Sequence, residues 1–195
     1  MGEKHEELSE KMTREEFLLW RIQGRREWEG EDLSGFDLSG IDLAGCNLTG
    51  ANLAGTILRG ARLIRATLSR ANLTRADFSR ADLSFSQIVG ADLSGASFEG
   101  ASLYEANLSR SRIVGANFSN ANLTQAKLRQ SDLSRSDFTR AALIDGDLSS
   151  SNLTGAILTD AILSRANLDR ARIEPHSLES ARTGQARERN SSPTT

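Results

Sequence analysis

The sequence offers few side chains suited to acid–base, nucleophilic or metal chemistry. It contains two histidines and one cysteine among 195 residues: His5 in a charged opening segment, His176 directly after a proline, and Cys46. A nucleophile needs a base within hydrogen-bond reach, and a transition-metal site needs several ligands together. Because these three residues are not clustered, we expect no enzymatic activity, no metal and no cofactor.

Two apparent functional motifs recur at a five-residue spacing. Glycines at the spacing of a phosphate-binding loop occur at Gly35, Gly40, Gly45 and Gly50. Ile41 follows Gly40, however, where such a loop requires lysine. Triplets with the N-glycosylation pattern begin at Asn47, Asn72, Asn107 and Asn117. We interpret both motifs as products of a repeat, because the residue types at each position of a five-residue period generate them.

The repeat is the element that must position every other side chain. From Leu33 to Leu178 every fifth residue is apolar, and these thirty central positions comprise 23 Leu, four Phe and three Ile. The residue two before each centre is small, with 18 Ala and five Ser among the thirty. A period of five matches neither an amphipathic helix nor an alternating strand. The pattern therefore indicates a coil of short straight sides, in which the centre and the small residue point inward.

Two features predict four pentapeptides per turn of this coil. Phenylalanine occupies the centre at twenty-residue intervals, which would stack the rings of a core ladder: Phe78, Phe98, Phe118 and Phe138. Outward-facing charges twenty residues apart are always of opposite sign, as expected for neighbours on adjacent parallel rungs. The seven such pairs are Asp42/Arg62, Arg62/Asp82, Asp92/Arg112, Arg112/Asp132, Lys127/Asp147, Arg140/Asp160 and Asp145/Arg165.

The repeat motif also resembles a known family. Runs such as ANLTRADFSRADLS and ADLSGASFEGASLYEANLSR are similar to the A(D/N)LXX motif of pentapeptide-repeat proteins. The resemblance covers residues 31 to about 178. It implies an all-β solenoid, a right-handed quadrilateral β-helix of about 7.5 coils.

The ends of the chain depart from the repeat. We expect a flexible leader over residues 1–12, an N-terminal cap helix and entry segment over 13–30, the β-helix over 31–178, and a short C-terminal cap remnant with a disordered tail over 179–195. Thr13 and Glu16 form a capping-box pattern at the start of the first helix, and Trp28 continues the five-residue phase. The segment EEFLLWRIQGRREWEGEDLSG resembles the openings of cyanobacterial members of the family.

Composition predicts a cytoplasmic protein with no membrane or nucleic-acid partner. The formal net charge is −2, and no apolar run approaches the length of a signal sequence or membrane span. Six arginines between Arg59 and Arg80 could be read as a basic patch. Successive pentapeptides face different sides, however, so these arginines should be spread around the rod.

One side of the predicted coil carries more apolar residues than the others. We call it the apolar side, and its centres are residues 43, 63, 83, 103, 123, 143 and 163. Its outward positions include Ala142 and the five residues that we predict to bind a partner: Ile64, Phe85, Tyr104, Ile144 and Ile162. Several exposed apolar residues on one face can mark an interaction surface. The alternative is that β-branched and aromatic residues simply suit extended backbone.

These features predict a non-enzymatic scaffold that binds an unidentified protein, or itself, through a flat face, with no small-molecule substrate. The family resemblance implies an alternative, a DNA mimic that protects or inhibits a type II topoisomerase such as DNA gyrase. Such mimicry needs a strongly acidic surface. Residues 31–175 hold 16 acidic and 15 basic side chains, which disfavours this alternative.

Overall fold

The computed structural model describes residues 12–183. Two helices, α1 (Arg14–Ile22) and α2 (Pro175–Glu179), flank a long region in which the same local backbone pattern recurs every five residues. Most of the predicted leader and the part of the predicted tail after residue 183 lie outside the described residues.

Each pentapeptide contributes one residue to a parallel β-ladder. Every bridge joins residues twenty apart, from Glu27↔Asn47 to Ile162↔Arg182. One turn of the coil therefore takes twenty residues, and the bridged region is slightly wider than the 31–178 predicted for the β-helix. The extended segments are single bridged residues rather than longer strands, because a turn follows each of them almost immediately.

The backbone hydrogen bonds of one pentapeptide illustrate the whole ladder. Asn52 N–H donates to the Glu31 carbonyl of the preceding turn at 2.9 Å, and Leu53 N–H donates to the Asn72 carbonyl of the following turn at 2.7 Å. Gly55 N–H donates to the Thr74 carbonyl at 2.8 Å. These bonds satisfy the backbone between turns, where unpaired polar groups would be costly.

The corner of each pentapeptide is a tight turn whose third residue has a positive φ. Ala51 N–H donates to the Leu48 carbonyl, and the intervening Gly50 has φ 65°. This is the position at which a type II turn favours glycine. Among residues 12–183, seventeen non-glycine residues also have positive φ, and nine of them are arginines. The alternation of Gly and Arg at this position of the sequence therefore reflects one conserved backbone shape along the coil.

The Asp-Leu-Ser and Asn-Leu-Thr triplets stabilise the same corners. In the 72–74 triplet, Asn72 Oδ1 accepts from Thr74 N at 3.2 Å and from Thr74 Oγ1 at 2.8 Å. Asn72 Nδ2 also donates to Asn52 Oδ1 of the preceding turn at 3.0 Å. Asx turns of this kind are a local property of Asn and Asp, so the glycosylation-like triplets have a structural explanation.

The interior is a continuous column of apolar centres. Every centre from Trp28 to Leu163 is essentially inaccessible to solvent. The Phe78, Phe98, Phe118 and Phe138 rings stack with centroids 4.9–5.0 Å apart and planes within 4° of parallel. The spacing between turns of the ladder imposes this parallel arrangement, because equivalent side chains lie directly above one another.

Helix α1 covers the N-terminal end of the column. It begins with a complete capping box between Thr13 and Glu16. Phe17 is fully buried and packs on Trp28, with ring centroids 4.3 Å apart. On the same face of the helix, Arg14 Nε donates to the Asp37 carbonyl at 2.6 Å and Arg21 Nε donates to the Asp42 carbonyl at 2.7 Å. These contacts fix the helix against the first turn.

The C-terminal end is less well covered. Helix α2 is only five residues long and starts at Pro175. Leu178, the last centre, is only partly buried, as is Ile173. The two helices are therefore unequal, and α1 is the longer and more firmly anchored one.

Candidate interaction surfaces

Four of the five predicted partner-binding residues fall into two groups, and the fifth, Ile64, lies two turns before Tyr104 in the same column. Phe85 and Tyr104 are in contact, with ring centroids 5.5 Å apart and nearly perpendicular planes. Ile162 lies beside Ala142, its bridge partner on the preceding turn, and Ile144 belongs to the same pentapeptide as Ala142. The intervening turn of the apolar side carries the polar residues Asn122 and Thr124.

The first group is a cluster built around Phe85, which we call the Phe85 cluster: Arg65, Phe85, Tyr104 and Gln125. The Arg65 guanidinium lies over the Phe85 ring, 5.6 Å from its centroid. Tyr104 Oη donates to Gln125 Oε1 at 3.2 Å. The side-chain hydrogen bond and the negative charge of the neighbouring Glu105 raise the pKa of the Tyr104 hydroxyl.

Phe85 occupies an unusual position for an aromatic residue. Its φ is 63°, and it is the one aromatic among the non-glycine residues with positive φ. Its side chain is 38% exposed. A bulky residue in this region of φ costs on the order of 1 kcal/mol, and the exposed ring gains little from burial in return. Ile64, Tyr104, Ile144 and Ile162 are only partly exposed.

The arginines between 59 and 80 do not form a patch. Arg65, Arg70, Arg75 and Arg80 occupy four successive corners of a single turn, since twenty residues complete one turn. The Cγ atoms of the last three lie 3.6–3.9 Å from the position that a Cβ would take on the glycine one turn further on. Their aliphatic stems thus pack along the corners of the coil.

Opposite charges on neighbouring turns are partly paired. Four of the seven predicted pairs are ion pairs: Asp42–Arg62 at 3.5 Å, Asp92–Arg112 at 3.6 Å, Arg140–Asp160 at 3.9 Å and Asp145–Arg165 at 2.5 Å. The remaining three are bridge neighbours: Arg62/Asp82, Arg112/Asp132 and Lys127/Asp147. Arg62 has an aspartate on each neighbouring turn, and its guanidinium forms an ion pair with one of them, Asp42.

Local hydrogen bonds favour the ionised form of Asp145 and of Asp77. The hydrogen bond from Arg165, together with its charge, lowers the pKa of Asp145. At Asp77, burial acts to raise the pKa, but hydrogen bonds from Ser79 and the Arg59 guanidinium outweigh it and hold the pKa below its ordinary value. Where charges pair in this way, the surface alternates in sign.

The residues that could do chemistry are not brought together. Cys46 is buried, and burial raises the pKa of its thiol, which disfavours the reactive thiolate. His176 lies in α2, at the opposite end of the chain. His5 lies outside the described residues. Within residues 12–183, no group of three or more His, Cys, Asp or Glu side chains is placed to hold a metal ion.

Shallow surface depressions lie at the corners of the coil. One of about 480 Å³ is lined by Arg59, Gly60, Ser79, Arg80 and Glu99. Two of its polar side chains, Ser79 and Arg59, both bond to Asp77. Over the same described range, neither helix has the length and apolar character needed to span a bilayer.

An exposed apolar surface that the repeat pattern does not predict lies on α1. Leu19 is 53% exposed, Trp20 37% and Ile22 84%. Leu19 and Ile22 point away from Phe17 and from the two arginines that anchor the helix. Trp20 lies on one flank, where the Arg25 guanidinium stacks on both Trp20 and Trp28. The sequence predicts this helix, but it does not distinguish the apolar residues that are buried from those that are exposed. The signal was present in the run FLLWRI, which has more large apolar residues than one face can bury.

Comparisons with known proteins agree with this architecture. The family model described as Pentapeptide repeats matches in eight copies, over residues 32–63, 61–100, 85–120, 101–140, 116–155 and 136–174. A comparison with curated protein sequences returned no match.

Several solved structures are similar to the chain. HetL, a pentapeptide repeat protein involved in heterocyst differentiation regulation from the cyanobacterium Nostoc sp. strain PCC 7120, is 27% identical with a TM-score of 0.54, covering 90% of this chain and 94% of HetL. Rfr23 from the cyanobacterium Cyanothece 51142 is 27% identical with a TM-score of 0.58, covering 60% and 95%. QnrB1, a plasmid-mediated fluoroquinolone resistance protein, is 20% identical with a TM-score of 0.66, covering 77% and 84%. At that identity the last likeness shows the fold alone.

Proposed function

Because the chain belongs to the pentapeptide-repeat family, whose members fold as right-handed β-helices, we propose that it is a non-enzymatic interaction module. The finer architecture in this proposal is a four-sided coil of about 7.5 turns with α1 as its N-terminal cap. The rod presents its apolar side to a protein partner in the cytoplasm.

The Phe85 cluster is the observation that carries the proposal. Elsewhere along the same corner column the residues are glycine, polar or charged: Gly45, Arg65, Glu105, Gln125, Asp145 and Arg165. The fold therefore does not require an aromatic residue at Phe85. The exposed Phe85 ring contacts an arginine and a tyrosine. Trp, Tyr and Arg are the residues that contribute most binding energy at protein interfaces, so this cluster resembles an interface anchor. Ile64 extends this surface, and Ile144 and Ile162 form a second, weaker contact.

The repeat itself supplies a variant that removes the anchor without harming the coil. Arginine is the commonest non-glycine residue at the corner position of Phe85, and Ser84 and Thr124 flank Tyr104 in its own column. The double variant Phe85→Arg, Tyr104→Ser should therefore fold normally while losing the aromatic surface. Ile157→Thr removes a 49% exposed apolar residue from a different side and serves as the matched control.

The test is quantitative affinity capture from extract of the source cells, followed by binding measurements with each purified candidate. We expect the wild type and Ile157→Thr to bind a protein with equal affinity, and the double variant to bind it at least tenfold more weakly. Equal binding by all three proteins would exclude the apolar side as the working surface. A double variant with a lower Tm than the control would instead mean that the cluster serves the fold.

The alternative function, protection or inhibition of a type II topoisomerase by DNA mimicry, has less support. A DNA mimic must present a dense negative field, whereas acidic side chains here are interleaved with arginines along the coil. We expect no effect of the purified protein on DNA gyrase in a supercoiling assay, with or without a fluoroquinolone. Protection at stoichiometric concentration would favour this alternative over the proposal.

A further inference from the structure

One side of the coil carries basic residues without acidic ones. We call it the basic face, and its centres are Leu68, Ile88, Leu108 and Leu128. Among residues 61–140 its outward positions hold four basic residues and no acidic one: Arg70, Arg110, Lys127 and Arg129. Each of the other three sides carries at least two Asp or Glu residues over the same range. The repeat therefore does not require this bias in charge.

The cations of the basic face have no acidic partner. Arg110 Nε donates to the neutral Gln130 Oε1 at 3.1 Å. The other three form no ion pair and no side-chain hydrogen bond with any residue of 12–183: Arg70, Lys127 and Arg129. On the neighbouring side, in contrast, Arg112 pairs with Asp92 at 3.6 Å. The charges of the basic face are thus free to bind an anionic ligand.

A buried hydroxyl in the middle of the basic face also lacks a partner. Ser109 is 4% exposed, and its Oγ forms no hydrogen bond with any residue of 12–183. Val89 and Arg129 occupy the same position on the preceding and following turns. Because buried hydroxyls normally have a partner, a ligand oxygen that displaces the flanking side chains would satisfy Ser109.

Acidic residues limit the basic face at both edges and at one end. They belong to the adjoining corner, the adjoining side and the next turn: Glu105, Asp92, Asp132 and Asp147. The free surface is therefore only one pentapeptide wide. Arg70 and Lys127 lie three turns apart, which is about 14 Å along the rod at about 4.8 Å per turn.

A long, narrow surface with unpaired cations fits an extended acidic segment of a protein. Positive and negative surfaces that meet in this way give specificity and rapid association. An extended chain rises about 3.3 Å per residue, so five or six residues laid along the rod cover the distance from Arg70 to Lys127. Carboxylates on such a segment would reach the cations without approaching the acidic edges.

Nucleic acid fits the basic face less well. A duplex is wider than one side of the coil and would bring phosphates over the acidic edges. Single strands bind largely by stacking bases on aromatic side chains, and the outward positions of the basic face include no aromatic residue among residues 61–140. Phe85, at the edge, is already in contact with Arg65 and Tyr104.

We infer that the basic face binds an extended acidic segment of a protein partner, which lies along the rod. The carboxylates of that segment contact the four cations: Arg70, Arg110, Lys127 and Arg129. None of these residues belongs to the apolar side, so this inference and the proposed function can fail separately.

The repeat supplies a variant that removes charge from the basic face and should fold. Lys127→Asn, Arg129→Ser introduces the residue types found at the same positions one turn earlier. The matched control is Arg75→Gly, Arg80→Gly, which removes two arginines from other corners, where the neighbouring turns carry glycine. The two double variants have the same net charge, so a difference between them depends on position.

Fluorescence anisotropy with a labelled hexaglutamate peptide at low ionic strength measures the binding. We expect the wild type and Arg75→Gly, Arg80→Gly to bind equally, and Lys127→Asn, Arg129→Ser to bind at least tenfold more weakly. Added salt should weaken binding by the wild type. Equal binding by all three proteins, or none by the wild type at millimolar concentration, would overturn the inference. Tighter binding of a short oligothymidylate than of the peptide would also overturn it, in favour of nucleic acid.

Peptide length tests whether the segment lies along the rod. A triglutamate peptide, about 10 Å long when extended, is too short to reach both Arg70 and Lys127. Arg70→Gly should therefore weaken binding of hexaglutamate at least threefold and leave binding of triglutamate unchanged. Glycine occupies this corner on both neighbouring turns, so the variant should fold. An equal effect on the two peptides, or no effect on either, would overturn the lengthwise arrangement.

Discussion

The coil and the N-terminal cap bury their side chains by different rules. In the coil, the five-residue phase decides which residues point inward, and every centre from Trp28 to Leu163 is buried accordingly. In α1, the identity of the residue does not decide its burial, because Phe17 is fully buried while Ile22 is 84% exposed. Burial in a repeat is thus a property of position along the chain, whereas burial in the cap depends on how one helix docks on the first turn.

The largest expected effect is in the coil. Replacing Phe98 with Asp places an unpaired charge between the Phe78 and Phe118 rings, and we expect a loss of more than about 4 kcal/mol in the free energy of unfolding. Denaturant unfolding measures this loss.

Phe98→Leu is the matched control for that substitution. Leucine is the usual centre of the repeat, so this variant should lose only about 1 kcal/mol for the stacking contacts and a small cavity. An unchanged stability of Phe98→Asp would contradict the assignment of four pentapeptides per turn.

A smaller and more local effect is expected in the cap. Phe17→Ala removes the ring that packs on Trp28, and we expect a loss of about 3 kcal/mol. Because each turn of a solenoid contacts only its neighbours, hydrogen exchange should accelerate in the first turns before it does so around Phe98. Leu19→Ala, on the outward face of the same helix, should change monomer stability by less than about 0.5 kcal/mol. Equal losses from the two substitutions would show that α1 is not docked through Phe17.

The smallest effect concerns a single charge pair between turns. The pKa of Asp145 is lowered in the folded protein by its hydrogen bonds with Arg165. Its stabilising contribution is therefore present above the unfolded-state pKa, near 4, and is lost as the pH falls through the folded-state value. The difference in unfolding free energy between wild type and Asp145→Asn should be detectable at pH 6 and should shrink below about pH 4. A difference that is independent of pH would mean that the Asp145 charge does not contribute.

The candidate surfaces were predictable to different degrees. Phe85 and Tyr104 could be placed on one side from the phase alone, because positions 84 and 104 share a column and Phe85 directly follows position 84. Their direct contact, and the position of Arg65 over Phe85, depend on side-chain rotamers that the phase does not specify. Ile144 and Ile162 are separated from Tyr104 by one turn of the coil, and on the apolar side that turn carries the polar residues Asn122 and Thr124. The apolar surface is therefore interrupted there.

The sequence by itself determined the period, the identity of the inward column and the register between turns. These features follow from residue types that recur at a fixed spacing, because each pentapeptide of a repeat occupies the same kind of position in the coil. Only the tertiary structure decided which face of α1 is covered, because a single helix with apolar residues on more than one side has no repeat to set its orientation. Its docking depends on Phe17 meeting Trp28 and on two arginines reaching the carbonyls of Asp37 and Asp42. These residues come close to one another only after the first turn of the coil has formed.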